Sequence, residues 1–134
     1  METTSIELPG TEIDCITLSA GTLRLHFARA LIIKTMTGSA ERTRWWQAGE
    51  LAIDGAEPQS PLPDAPVICA GGDVDENVYT YRDMVPLPLK ANGRVACDLK
   101  LTDSSARIHV AGTAIRLEMD GIAKYIEHIP PDSS

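Results

Sequence analysis

Carboxylates and histidines are the residues of this 134-residue chain that could carry acid–base chemistry. Asp73, Asp75 and Glu76 form an acidic cluster, and burial or a like-charged neighbour would raise the pKa of one of them toward neutrality, as a general base requires. His26 and His109 lie on the polar faces of predicted strands and could partner such a carboxylate. One alternative function is therefore a small β-barrel hydrolase or isomerase with a carboxylate/histidine pair as its catalytic residues.

The same acidic cluster matches part of a calcium-binding loop. Asp73, Asp75 and Asn77 occupy its first three ligand positions, which alternate along the chain. However, Val78 stands where the loop needs glycine, and Met84 stands where it needs a bidentate glutamate. The histidines show no HxH, HxxxH or HExxH spacing either. A weak cation-binding domain is thus a second alternative, and the sequence predicts no specific metal ligands and no cofactor.

No sequence motif favours nucleophilic catalysis or phosphate binding. The chain has no GxSxG, GxGxxG or GxxxxGK[ST] pattern, and no cysteine has an evident basic partner in the sequence around it. Cys15, Cys69 and Cys97 are odd in number and widely spaced, without a CxxC pair, which favours free thiols in a reducing compartment. The first residues, Met1–Ser5, lack the basic and apolar regions of a signal peptide. We therefore expect a cytoplasmic protein.

The run from Arg42 to Trp46 is the most distinctive candidate for binding a partner. On a strand, Arg42, Arg44 and Trp46 would share one face, and arginine and tryptophan are enriched where proteins contact each other. In the alternative interpretation, Trp45 fills the core while Trp46 covers the arginine side chains at the surface. The leading prediction is a non-catalytic binding or assembly module that acts through protein–protein contacts at Arg42, Arg44 and Trp46.

The charge of the chain excludes some classes of partner. It contains 12 Lys and Arg against 19 Asp and Glu, a formal net charge of −7, so a broad basic face for nucleic acid or an anionic membrane is not expected. The longest aliphatic run, Ala30–Ile33, is far shorter than the ~20 residues that span a bilayer. We expect the partner to be protein, most simply another copy of the chain in a homo-oligomer, because an open sheet must cover its edges.

Strands must position all of these residues, because apolar and polar side chains alternate along much of the chain, most clearly in residues 94–102. Asn92-Gly93 and Asp120-Gly121 predict hairpin turns. For residues 22–36 a helix competes, since apolar residues also recur there at helical spacing, but alternation and β-branched residues favour strands. The sequence predicts one all-β domain over residues 1–134, a single antiparallel sandwich, roll or partly open barrel of about 8–10 short strands.

A long acidic loop rich in proline and glycine is predicted near the middle of the chain. Residues 54–81 carry six carboxylates and no Lys or Arg. Within them, Glu57–Pro66 has four prolines, which cannot donate to a strand ladder or continue a helix. Pro86 and Pro88 predict an extended segment at a sheet edge for the same reason. The last residues, 130–134, begin with two prolines and are expected to fray.

Overall fold

The computed structural model describes residues 2–36, 38 and 41–129, and the regular elements in this part of the chain are nine β-strands. They are β1 (Glu2–Ser19), β2 (Thr22–Met36), β3 (Arg42–Asp54), β4 (Glu57–Pro58), β5 (Val67–Glu76), β6 (Tyr79–Arg82), β7 (Met84–Leu87), β8 (Leu89–Leu101) and β9 (Arg107–Ile129). The predicted all-β class is confirmed, and so is the strand interpretation of residues 22–36. Among the described residues there is no helix of the length and apolar character needed to cross a membrane.

The strands form one antiparallel sheet that closes on itself over part of its length. Their order is β6-β5-β8-β9-β3-β2-β1-β7, and β4 pairs β9 beyond the end of β3. A short pairing of Glu12 and Ile13 in β1 with Ile68 and Val67 in β5 joins the two sides. As a result β5, β8, β9, β3, β2 and β1 make a ring, and the fold is a partly open barrel.

Beyond the ring the sheet stays open. On one side β7 pairs β1 over Thr4–Glu7, and on the other side the pairing of β8 with β9 ends at Leu117. The remainder of β9 continues alongside β3 alone in the described part of the chain. We call this part of the fold the open sheet, and it consists of residues 4–7, 31–36, 42–47, 84–87 and 118–129.

The interior of the barrel is filled by side chains that point inward on alternate positions. Phe27 is the largest fully buried one, with 1% of its surface exposed. Aliphatic side chains from the long strands complete the core, among them Ile6, Ile13, Leu23, Leu25, Ile32, Leu51, Ile53, Val74, Val95, Leu99, Ile108, Val110 and Ile115. The residues that could bind or react therefore lie on the outer surface and on the open sheet.

Two predicted hairpin turns are wrong, because the glycines bend long strands instead of ending them. Asn92-Gly93 lies inside β8, and Asp120-Gly121 lies inside β9, which runs for 23 residues. Both glycines have positive φ, +122° and +71°, and both lie where the register with a neighbouring strand is interrupted. A β-bulge of this kind bends a strand and increases its twist, as a strand that wraps around a barrel requires.

The prediction of an acidic loop over residues 54–81 also needs correction, because much of this segment is strand. β5 and β6 occupy most of its second half, and the one long irregular stretch within it is residues 59–66. In β5, Val74 points into the core with 1% exposure, whereas Asp73 and Asp75 are half-buried on the opposite face. The acidic residues therefore form the polar face of a strand.

Of the two prolines predicted to lie in an extended edge segment, Pro86 is in an edge strand, whereas Pro88 lies between β7 and β8. Pro86 is in β7, which lies at the end of the strand order and pairs β1 alone in the described part of the chain. An edge position suits proline because it has no N–H to donate to a second neighbour. The predicted frayed tail, residues 130–134, lies outside the described residues.

Candidate functional site

The three predicted partner-binding residues lie on the outer face of the open sheet. In β3, Arg42, Arg44 and Trp46 alternate with Thr43 and Trp45 as the sequence predicts. They lie opposite Thr35, Ile33 and Leu31 of β2, respectively. Register and alternation therefore place them in three successive rows of the sheet.

Trp45 lies on the other face and packs against the barrel core. Its indole Nε1 donates a hydrogen bond of 2.8 Å to Thr43 Oγ1, and its ring meets that of Tyr125 edge to face with centroids 5.3 Å apart. Lys34 Nζ lies 4.4 Å from the Trp45 ring centroid, a cation–π distance. The interpretation of Trp45 as a core residue is thus consistent with its packing.

Arg44 lies between two carboxylates, one on the adjacent strand β9 and one on β1, which lies beyond β2. Its Nη1 donates to Glu127 of β9, and its Nε lies 3.5 Å from Glu7 Oε1 of β1. Burial lowers the pKa of the guanidinium, but the hydrogen bond to Glu127 and the charge of Glu7 raise it, and the pKa is raised overall. With 26% of its side chain exposed, Arg44 ties β9 and β1 to β3 across the outer face.

Trp46 lies between two cations. Lys124 Nζ of β9 is 4.6 Å from the Trp46 ring centroid, and Arg29 Cζ of β2 is 5.9 Å from it. Both contacts are within the range of cation–π attraction. On the outer face of the open sheet, two carboxylates therefore lie close to Arg44 and two cations lie close to Trp46.

The edge of the open sheet is the longest unpaired strand segment in the described residues. Over Glu118–Ile129, β9 has β3 on one side, and no described strand pairs its other side. Ile122 and Tyr125 on this segment are 85% and 55% exposed. Sequence reasoning missed this edge, since alternation identifies strands but does not tell which of them find a second neighbour.

The three predicted catalytic carboxylates each have a partner other than histidine in the described part of the chain. Thr80 donates to Asp75 at 2.7 Å, and Tyr81 donates to Glu76 at 2.9 Å, a hydrogen bond that raises the tyrosine pKa. Arg82 Nε donates to Asp73 at 3.0 Å and thereby lowers the pKa of that carboxyl. A lowered pKa is the opposite of what a general base at neutral pH needs.

The two predicted catalytic histidines lie on separate parts of the barrel. His109 of β9 lies opposite Asp98 of β8, and Asp98 in turn lies opposite Asp73 of β5. One strand therefore separates His109 from the nearest of the predicted carboxylates. His26 lies on β2, and β3 stands between β2 and β9, so the structure does not bring the two histidines together.

A polar cleft of about 420 Å³ lies beside Asp73. Its charged side chains have both signs, with Asp73 and Asp98 near Arg82, Lys100 and Arg107. Arg107 Nε lies 3.1 Å from Asp98 Oδ1, so the acidic and basic groups compensate each other within the cleft.

Metal binding gains no support from the acidic cluster. The described residues contain no group of three or more His, Cys, Asp and Glu side chains that could hold a metal ion. Asn77, the third residue of the predicted cation loop, accepts from the Arg94 N–H and donates to the Asn92 carbonyl. Its amide thus caps the neighbouring bulge in β8.

One close carboxylate–histidine pair involves an aspartate that the sequence does not single out. His26 Nδ1 lies 2.5 Å from Asp14 Oδ1, and the residue opposite His26 in the register of β1 and β2 is Cys15. The register shifts between Ile13 and Cys15, which makes Asp14 the extra residue of a bulge. No sequence signal marks this bulge, so the grouping could not be predicted from spacing.

The comparisons with known proteins leave the geometry as the basis for assigning a function. No protein-family model matches the chain, and no curated protein and no solved structure matches it significantly.

Proposed function

We propose that this protein is a non-catalytic assembly module that forms a homo-oligomer through the open sheet. The observation that carries the proposal is the free edge of β9, Glu118–Ile129, which has a strand neighbour on only one side in the described part of the chain. Such an edge presents unpaired N–H and C=O groups, which are a template for pairing with another strand.

Apolar side chains on this edge favour its burial. Ile122 and Tyr125 are 85% and 55% exposed, and removing apolar surface from water stabilises an interface by about 25 cal/mol per Å². Tyrosine also suits a protein interface because its ring is apolar and its hydroxyl can still form hydrogen bonds. Backbone pairing and apolar contact would therefore act together at the same strand.

A second copy of the chain fits this edge by charge. The edge carries both signs, with three carboxylates and one lysine, namely Glu118, Asp120, Glu127 and Lys124. When two β9 strands pair antiparallel about a two-fold axis, the reversed direction lets Lys124 of each chain lie near an acidic residue of the other. An isologous contact of this kind uses the same surface twice and closes as a dimer.

Two of the predicted partner-binding residues, which lie on β3, contact side chains of the β9 edge. Arg44 donates to Glu127, and Trp46 holds Lys124 by a cation–π contact, so both fix the direction of edge side chains. Arg42 is exposed and lies opposite Ile129 at the end of the same edge. These contacts hold charged β9 side chains in place before a partner strand arrives, which reduces the ordering cost of association.

The test measures the mass of the protein in solution by size-exclusion chromatography with light scattering. At micromolar concentration we expect twice the 14.5 kDa of one chain. Ile122→Lys should reduce the mass to that of a monomer, because the new charge would be buried at the contact. Val78→Lys is the matched control, since Val78 is 89% exposed on the turn between β5 and β6, away from this edge.

Two further variants test the supporting face. Arg44→Ala and Trp46→Ala should shift the equilibrium toward monomer, because each releases a charged side chain of β9. An unchanged mass in both variants would remove these residues from the interface, and a wild-type protein that is monomeric at micromolar concentration would contradict the proposal as a whole.

We further infer a cytoplasmic location. The support is the state of the cysteines: Cys15, Cys69 and Cys97 are all free, and two of them are buried in the barrel. Free thiols are typical of proteins in a reducing compartment.

A further inference from the structure

A groove of about 500 Å³ adjoins the barrel core at the open sheet. It lies between β7 and β9, which are the two end strands of the open sheet. Leu87 and Pro88 line it from one side, and Leu117 and Met119 of β9 line it from the other. Volumes of about 300–1,000 Å³ are typical of small-ligand sites, and the mouth of a β-barrel is a frequent place for one.

The walls of the groove are apolar. Leu117 belongs to the barrel core, and Leu87 and Met119 pack against that core from the groove side. An aliphatic chain that lies in the groove removes this surface, together with its own, from contact with water. The walls therefore favour a ligand with an apolar body.

Lys34 brings a positive charge to this apolar surface. Inward positions alternate along β2, and Lys34 follows the buried Ala30 and Ile32 in that pattern and lines the groove. Its Nζ lies over the ring of Trp45, and no carboxylate of the described residues forms an ion pair with it. Six arginines of the same residues each have such a partner. An unpaired cation beside apolar walls is complementary to an anionic group on an apolar ligand.

Thr4 provides a hydrogen-bond donor next to this cation. It lies directly opposite Lys34 in the register of β1 and β2, where Cβ atoms are about 4.5–5.5 Å apart. Its side chain also lines the groove, and its hydroxyl makes no hydrogen bond within the described part of the chain. An ammonium and a hydroxyl side by side can both donate to one carboxylate group.

One carboxylate of the protein also borders the groove. Glu118 lies at its rim, with 74% of its side chain exposed, and its Oε1 is 3.9 Å from Arg116 Nε. Water and this arginine therefore weaken the effect of its charge on the groove. The half-buried Lys34 is the charge closest to the apolar walls on the inner face.

We propose that the groove binds a small amphipathic monocarboxylate of the medium-chain fatty-acid class. Its carboxylate accepts hydrogen bonds from the Lys34 ammonium and the Thr4 hydroxyl, and its aliphatic chain lies against Leu87, Leu117 and Met119. Hydrogen bonds between charged groups are about twice as strong as neutral ones, so the carboxylate sets the orientation of the ligand. All of these residues come from one chain, so binding does not require the homo-oligomer.

The test is a ¹H–¹⁵N NMR titration of the full chain with octanoate below the concentration at which it forms micelles. We expect a submillimolar dissociation constant and shift changes at the amides of Thr4, Lys34, Leu87 and Leu117 and at the indole N–H of Trp45. Shift changes confined to other parts of the barrel would overturn the proposal, and so would unchanged spectra.

Two lysine variants separate the charge from the fold. Lys34→Met keeps the aliphatic stem and should weaken octanoate binding about ten-fold, while octanol binding stays as in wild type. Lys100→Met is the matched control, since it removes the same charge from the far end of β8, where Lys100 lies opposite Arg107. It should bind octanoate like wild type. Equal octanoate affinity in Lys34→Met and wild type would contradict the assignment of Lys34.

Ligands with the same chain and another head group test the choice of a carboxylate. In wild type, affinity should fall from octanoate to neutral octanol and again to cationic octyltrimethylammonium. Equal affinity for the three would mean that the groove selects only the apolar chain, which would overturn the proposal. Thr4→Val removes the hydroxyl while keeping the shape of the side chain, and it should reduce the preference for octanoate over octanol. A monomeric mass in light scattering would contradict the homo-oligomer and leave this site unaffected.

Discussion

Gly72 in β5 lies directly against the backbone of Asp98 in β8. A Cβ atom added to Gly72 would come within 2.2 Å of the Asp98 carbonyl oxygen, a distance that no side chain can tolerate without moving the strand. The φ of Gly72 is +151°, in a region that residues with a side chain rarely adopt. Strands β5 and β8 are therefore closer together at this position than a residue with a side chain would allow.

Gly72→Ala should lower the free energy of unfolding by about 3 kcal/mol or more, because it combines a backbone clash with an unfavourable φ. Gly21→Ala is the matched control: its φ is +78°, but no atom lies within 4 Å of the added Cβ. It should cost about 1–2 kcal/mol, the backbone term alone. Urea unfolding of both variants measures the difference, and equal losses would contradict the close approach of β5 and β8.

Phe27→Ala tests the packing of the barrel interior. Phe27 is 1% exposed and is the largest fully buried side chain among the described residues, so its removal leaves a cavity. The free energy of unfolding should fall by about 3–5 kcal/mol. Val78→Ala, at a position that is 89% exposed, should change it by no more than about 0.5 kcal/mol. A loss below 1 kcal/mol for Phe27→Ala would mean that the interior is not close-packed.

The sequence predicts the class of this fold because alternation is a direct consequence of strand geometry. Cys97 and Leu99 occupy apolar positions of the alternating pattern in residues 94–102, and each is 1% exposed. The sequence predicts the ends of strands less well, because a glycine after Asn or Asp is compatible with both a hairpin turn and a bulge. At Gly93 and Gly121 the chain continues as strand, since the pairing on either side of the bulge lies with the same neighbour.

For the candidate sites, too, the sequence predicts some arrangements and not others. Residues on one strand, such as Arg44 and Trp46, can be placed on a common face from their spacing alone. Groupings across strands need the register, and the register between β1 and β2 shifts three times between Glu7 and Cys15. A shift of one residue changes which side chain lies opposite His26, and sequence spacing contains no information about it.

Arg44 and Glu127 should be energetically coupled in a double-mutant cycle. Their side chains are 26% and 51% exposed, so solvent screens the pair and we expect a coupling of about 0.5–1 kcal/mol. The coupling should fall as salt is added, because exposed charges are screened. The same cycle on Arg24 and Glu50, 53% and 32% exposed and 2.5 Å apart, provides a comparison pair outside the open sheet. A coupling of zero at low salt would show that Arg44 does not hold Glu127.

The Asp73 carboxyl should titrate below its ordinary pKa, because Arg82 donates to it and the charges of Lys100 and Arg107 act in the same direction. A group whose pKa is lower in the folded state stabilises the fold at pH values above its unfolded pKa, near 3.9, and this contribution is lost as the pH falls through the folded pKa. Arg82→Gln should therefore raise the Asp73 pKa toward its ordinary value and lower stability slightly at pH values above about 4, and the difference from wild type should vanish as the pH falls through the folded pKa. Carbon-detected NMR titration of the Asp73 carboxyl measures this pKa, with Lys90→Gln as the control that removes a positive charge from β8 instead of from β6. If the Asp73 pKa is the same in wild type and Arg82→Gln, the exposed arginine does not hold this carboxylate in solution.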